Sequence, residues 1–455
     1  MTRTLAALLV AGLMGVVLAA GAVPARADAA IVSATVENGY PKSLTFKLTA
    51  RADVDITDVS LSYSITGRGT SALGKPDDFT AGKNVETQVV VQVNSGASYI
   101  PVGSEFAWHW EISTADGKST SGPETKFVFL PAGQDWKSVQ GAFMVVYYHG
   151  DNQDLANAYL KAGQETYQKM AVGLLNTTLK QTPVKVILFN DEKEMAPARP
   201  GTGGKFDAAV TTCGTKVTND VVLVIPVSCG TPDKTDTLRH EFTHILTDAA
   251  GVSPLGKLPS WLDEGTAVYA QSAPGDNYSG AFEAATRSNR LIPFSQMGTP
   301  SSDANQVNLF YGESYAMASY LIKKGGPAKY AQLFATIKNG TRFDQALQQV
   351  YGFDMPGFEK EFLAANGAAP RPTATPQPRQ AQPTAVPTAK PAAAANTDNG
   401  GSSIDRTTIL IGGLAALFAL VAVFFFLLSM QLSARRRAAG GGPPSPPDDW
   451  NQPAG

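Results

Sequence analysis

The stretch "TLRHEFTHIL", Thr237 to Leu246, places two histidines and a glutamate within five residues of a 455-residue chain that has only four histidines. In an α-helix, residues four apart lie about 40° from one another around the axis, so His240 and His244 project from one face a turn apart. Two imidazoles so placed reach a single Zn²⁺ at about 2.0–2.1 Å. Glu241 stands roughly 100° round from the first histidine, out of direct ligation and close to a water on the metal. Chance gives about 0.003 such patterns at this length and composition. The competing reading is an ordinary helix with a polar face.

A catalytic zinc needs a third protein ligand and keeps its fourth position for water. "LPSWLDEGTAVYAQ", Leu258 to Gln271, offers Glu264, 20 positions after His244, on a second helix whose start is marked by Pro259 and Ser260. The intervening "DAAGVSPLGKLP" carries the glycines and prolines needed to turn the chain and set the second helix beside the first.

"HEFTH" followed at this distance by "WLDEG" resembles the gluzincin metallopeptidases, the thermolysin and aminopeptidase lineage, and especially the bacterial proteins grouped as peptidase MA-like. The resemblance spans about Trp136 to Phe362. It implies one catalytic Zn²⁺ held by His240, His244 and Glu264, with Glu241 as general base and a peptide or protein as substrate. "LFYGESYAMASYLIKKGG" (Leu309 to Gly326) resembles a later helix of the family, in which a tyrosine hydrogen-bonds the oxyanion; Tyr311 is the nominee, with Tyr315 one turn on as its rival. The resemblance further implies an extended substrate along an edge strand, for which "FDAAVTT" (Phe206 to Thr212) and "VVLVIPV" (Val221 to Val227) are the candidates. Pro226 in the second removes a ladder donor and suits an edge. The exopeptidase motif of the aminopeptidase branch has no counterpart in "RPGTGGKFDAAV", so an endopeptidase is expected.

The ends of the chain give its expected placement. An apolar run from Leu5 to about Ala20, closed by Ala25-Arg26-Ala27, reads as a signal peptide over residues 1–27. Ile409 to Met430 is uncharged and, at about 1.5 Å per residue, reaches roughly 33 Å, enough for a bilayer core of about 30 Å; a transmembrane helix is expected over 407–432. Arg435, Arg436 and Arg437 then mark a cytoplasmic tail, 433–455, and put the rest outside. The Pro- and Ala-rich segment 367–404 cannot close a core and reads as a stalk.

Two folded regions remain. Short alternating runs from residue 28 to 133, such as "SLTFKLTA" and "FAWHWEIST", argue an immunoglobulin- or fibronectin-like β-sandwich, with Trp108 and Trp110 in its core and His109 outward. From 134 to 366 the pattern is strand, helix, strand, then helices from Thr235 to about Ala365, an α+β domain with its sheet in the N-terminal part. Cys213 and Cys229 flank the run Val221–Val227, and outside the cell such a pair is expected to be bridged, bracing the lip of the cleft. A net charge of −2 implies no nucleic-acid partner. Two other functions compete: an inactive peptidase-like domain in a cell-surface binding or adhesion protein, and a zinc hydrolase of non-peptide substrates on the same scaffold.

Overall fold

Strand β2 (Ser43–Ile65) is 23 residues long and organises the N-terminal region. Its first half pairs with β1 (Ala30–Gly39) and β4 (Gly82–Gln92), and its second with β3 (Ser71–Gly74) and β5 (Glu105–Thr114). β5 then carries β6 (Ser119–Ser121) and β7 (Thr125–Val128). Pairing with β4 breaks between Arg51 and Ile56, where the strand passes from one half to the other. Alternate residues Leu44, Phe46, Leu48 and Ala50 are buried, the period-two signature of a one-sided strand. Phe46 meets the Trp108 ring at 5.1 Å and lies 6.3–6.5 Å from Tyr63, Phe127 and Phe106, all in the other half. The two layers expected of a sandwich are thus halves of one hydrogen-bonded seven-stranded sheet. Trp108 and Trp110 are buried in it, and His109 lies 3.2 Å from Glu111.

The computed structural model describes residues 29–69, 71–94, 99–181, 183–200, 213–227, 229–298 and 304–371. The expected signal peptide, the stalk beyond residue 371, the transmembrane helix and the tail lie outside these residues, as does Phe206 to Thr212. Among the described residues no helix is long and apolar enough to cross a membrane.

The second sheet has five strands in the order β11-β12-β10-β9-β8. β9 (Met144–Tyr148), β10 (Val184–Leu188) and β12 (Val221–Val224) are parallel, while β8 (Lys137–Gln140) and β11 (Gly214–Thr218) run antiparallel at the two edges. Val221–Val227 is therefore corrected as an edge candidate. All four residues of β12 are buried between two neighbouring strands, which is what an unbroken apolar run signals. Pro226 falls after the strand's end and removes nothing from its ladder. The edge is "GTKVT", which has too little apolar alternation to stand out.

Side chains of this sheet divide between two cores. Val184, Val186, Leu188, Val222 and Val224 face the helices, whereas Ile187, Val221, Leu223 and Ile225 share a cluster with Phe106, Trp108 and Phe129 of the first sheet. The N-terminal sheet therefore covers one face of the second. Polar contacts reinforce the seam: the Tyr99 hydroxyl donates to Ala198 O at 2.6 Å, and Gln181 Nε2 to Gly67 O at 2.7 Å.

The helical layer covers the other face. It comprises α1 (Gln153–Thr166), continued by a π-helical segment Tyr167–Leu175, then, past a short α2 (Glu192–Met195) whose Met195 lies in the core shared with the first sheet, α3 (Asp236–Gly251), α4 (Ser260–Ala270), α5 (Asp276–Arg287), α6 (Ala304–Lys338), α7 (Phe343–Tyr351) and α8 (Met355–Ala365). α6 breaks at Gly326, whose φ of 71° precedes Pro327.

Candidate metal centre

Leu238, Phe242, Ile245 and Ala249 are buried at helical spacing on α3, so the turn containing His240 and His244 faces the opposite way. The start of α3 is fixed by charge. Asp233 accepts from Thr235 N at 2.8 Å, and the fully buried Asp236 accepts from Ser272 N at 2.8 Å just beyond α4. α4 is anchored by Trp261, whose ring packs 5.5 Å from Phe343 and 5.9 Å from Phe358. Gly265 explains the small residue after Glu264: a Cβ there would meet Ser314 O at 2.1 Å, so α6 crosses α4 only over a glycine.

The two helices bring three ligand atoms together. His240 Nε2 and His244 Nε2 are 3.2 Å apart, and Glu264 Oε2 lies 3.2 Å from the first and 3.5 Å from the second. Ligands about 2.0–2.1 Å from a tetrahedral zinc stand about 3.3–3.4 Å from one another. The triangle has that size. Glu264 Oε2 is buried and accepts no well-formed hydrogen bond, although both Nε2 atoms are close. Among the described residues His240, His244 and Glu264 form a metal-capable group, and their donor set fits zinc.

Electrostatics bind the cluster. Burial would raise the Glu264 carboxyl, yet the His244 and His240 imidazoles beside it hold it far below the usual carboxylate range. Burial alone would lower His244, but Asp263 and Glu264 push it well above the usual histidine value. Asp263 Oδ2 lies 3.0 Å from His244 Nδ1, and the Thr247 hydroxyl donates to the other Asp263 oxygen. A carboxylate on the far nitrogen fixes which nitrogen is free for a metal.

Glu241 stays out of the triangle. Its Oε2 accepts from Lys216 N of the edge strand at 2.8 Å, while the Lys216 ammonium pairs with Asp248, two turns along α3. Tyr311 and Tyr315 separate. The Tyr311 ring lies 6.1 Å from His240, whereas Tyr315 packs 6.5 Å from Tyr269. Burial and the Glu264 carboxylate push the Tyr311 phenol well above its ordinary value, so it keeps its proton at neutral pH. Cys213 and Cys229 are joined as a disulfide, with Cα atoms 6.4 Å apart; it ties the start of β11 to the loop leading into α3.

Three residues at the site were not singled out by the sequence. Asp263 was findable, since a ligating histidine is usually oriented by a carboxylate and one stands beside Glu264. Lys216 and Tyr278, whose ring stacks on that of Tyr311, carry no local signal.

Residues 169–366 match the family model described as Peptidase MA superfamily. Among solved structures, the M1 zinc metallopeptidase from Deinococcus radiodurans is similar, at 12% identity over 76% of this chain and 93% of that one, with a TM-score of 0.29. A point mutant of it, bound to a Tyr-Ser-Ala substrate, aligns at 10% identity over 74% and 92%, with a TM-score of 0.31. A polysaccharide deacetylase from Bacillus cereus aligns at 15% identity over 38% and 54%, with a TM-score of 0.18. No curated protein matches the chain. Likenesses of such low scores add nothing to the assignment. The family match stands without them: residues 169–366, which carry the triangle, are similar to the Peptidase MA superfamily.

Proposed function

We propose that the chain is a membrane-anchored, extracytoplasmic zinc endopeptidase in which Glu241 is the general base. The observation that carries this reading is the convergence of His240 Nε2, His244 Nε2 and Glu264 Oε2 within 3.2–3.5 Å of one another, next to a carboxylate that takes no part in the triangle.

A zinc ion, which His240, His244 and Glu264 would hold, would supply Lewis acidity of the kind that lowers the pKa of water and polarises a carbonyl. Glu241 accepts the proton of the attacking water and delivers it to the leaving amine. The Lys216 N–H holds that carboxylate toward the edge strand. Asp263 keeps the His244 ring oriented, and the Tyr311 phenol donates to the oxyanion as it forms.

The substrate lies along β11. Ile225 N donates to Cys213 O at 2.9 Å, so Cys213 and Thr215 face β12, while Gly214 turns its backbone groups and Lys216 its carbonyl, its N–H being held by Glu241, to the side that carries no strand among the described residues. A peptide adding there is placed beside the general base by the same strand that holds it.

The run Ile409–Met430 and the arginines after it support a single-pass anchor with both folded regions outside. A C-terminal tag shielded from added protease in intact cells is expected; a tag that is cleaved overturns this orientation.

Metal analysis of purified protein should give about one zinc per chain, lost in His240→Ala, together with cleavage of internally quenched peptides. Zinc without cleavage of any peptide in a diverse library would overturn the peptidase reading in favour of another zinc hydrolase. Absence of zinc would leave a surface scaffold.

A further inference from the structure

Tyr278, on the first turn of α5, stacks on Tyr311 with ring centroids 5.2 Å apart and planes 14° from parallel. Its partner is itself boxed in, with His240 at 6.1 Å and Phe310 edge-on at 5.9 Å. The approach of the two helices is built in. A Cβ at Gly312 would meet Tyr278 O at 2.3 Å and Tyr278 C at 3.0 Å, so the position after Tyr311 admits only glycine while α5 is seated. Asn277, one residue before Tyr278, donates from Nδ2 to Asn308 Oδ1 at 3.1 Å and fastens the start of α5 to the start of α6.

We infer that Tyr278 is a positioning residue for the proposed reaction: its ring, rather than its hydroxyl, holds the Tyr311 phenol beside the metal ligands. This rests on the reading of Tyr311 as oxyanion donor. A phenylalanine-like side chain on a helix pivots about χ1 and χ2, and only neighbours on each face keep it in one rotamer. Tyr311 has its metal-side neighbour in His240, and Tyr278 closes the face that α5 covers. An offset-parallel aromatic contact adds to simple burial, so its removal releases the ring without removing the phenol.

The test uses the full-length holoprotein with 3-fluorotyrosine placed at position 311, read by fluorine NMR and by peptide cleavage. Tyr278→Phe keeps the stacked ring and should leave one sharp fluorine line and kcat within about twofold of the parent. Tyr278→Leu and Tyr278→Met should broaden or split the line and lower kcat by about tenfold, with KM within about twofold. A fall in Tyr278→Phe as deep as in Tyr278→Leu would assign the role to the hydroxyl and overturn the inference. A single sharp line with unchanged kcat in both aliphatic variants would overturn it as well. If the parent holoprotein cleaves no peptide, the peptidase reading fails; the fluorine line needs no turnover and still decides whether Tyr278 holds Tyr311.

Discussion

The two walls of the site are held by different physics. On the β11 side the contacts are covalent and ionic: the Cys213–Cys229 bond, the Lys216–Asp248 pair and the Lys216 N–H on Glu241. On the α5–α6 side they are chiefly aromatic, a stacked tyrosine pair seated over Gly312, with one neutral amide hydrogen bond between Asn277 and Asn308. Two residues beyond Tyr311 on α6 is Glu313, a fully buried acid with one oxygen bonded to Ile292 N at 2.9 Å and the other without a partner. In the proposed reaction one wall holds the base, Glu241, which must be charged, and the other holds the Tyr311 phenol, which must stay protonated. A polar wall suits the first and a desolvated wall the second.

The sharpest break of this contrast is Glu241→Gln. It removes the proposed base and keeps the shape, so turnover should fall by about 10³-fold or more while zinc content stays near that of the parent. Turnover within about tenfold of the parent would place the base elsewhere.

The desolvated wall makes its own prediction. Burial pushes the Glu313 carboxyl up to about 8 against the pull of the Ile292 N–H and Arg371, with Glu359 adding to the rise. Below the ordinary value of 4.5 both folded and unfolded chains hold the proton. Between 4.5 and about 8 the unfolded chain has lost it and the folded chain has not, so stability falls as pH rises through that window. Glu313→Gln should abolish that slope and raise stability at pH 8 by on the order of 3 kcal/mol, read from urea midpoints at pH 5 and pH 8. An unchanged pH slope would mean that Glu313 ionises freely in the fold.

The covalent wall should respond less. The Cys213–Cys229 bond closes a loop of sequence separation 16, for which chain entropy gives about 3 kcal/mol at most, less any strain that the fold relieves on opening. The double serine variant should lower the melting temperature by several degrees and, if β11 receives the substrate as proposed, raise KM more than it lowers kcat. Equal kcat/KM and melting in parent and variant would detach the bond from the site.

The legible parts of this molecule are those set by spacing within one element. His240, Glu241 and His244 follow from helical geometry, and Glu264 from the demand for a third ligand. What escaped is set by which elements meet. β11 is short and weakly apolar, and nothing in "GTKVT" announces that it closes the sheet beside α3. β12 was nominated as an edge from Pro226, yet its unbroken apolar run already pointed to burial on both sides. The N-terminal sheet read as a separate module because strand alternation shows one face buried and is silent on what buries it. Part of that answer lies in Ile187, Val221 and Leu223, more than fifty residues beyond Phe129. Tyr278 belongs to the same class, since only the glycine at 312 lets its helix approach.

The smallest expected effect is also the most discriminating between the walls. Lys216 reaches Asp248 along α3 with its ammonium while its backbone N–H holds Glu241. Both side chains retain a fifth to a quarter of their exposure, so the pair is worth about 1 kcal/mol after solvent screening. Asp248→Asn leaves Glu241 and the triangle untouched and loosens only the strand. It should lower the melting temperature by about 2–4 °C, and the loss should shrink in high salt. kcat/KM should fall about three- to tenfold, through KM, if the edge strand both binds substrate and holds the base. On the opposite wall, Tyr278→Leu should act through kcat and be indifferent to salt. If Asp248→Asn instead lowered kcat in a salt-independent way, the division of labour between an ionic substrate-binding wall and an aromatic proton-donor wall would not hold.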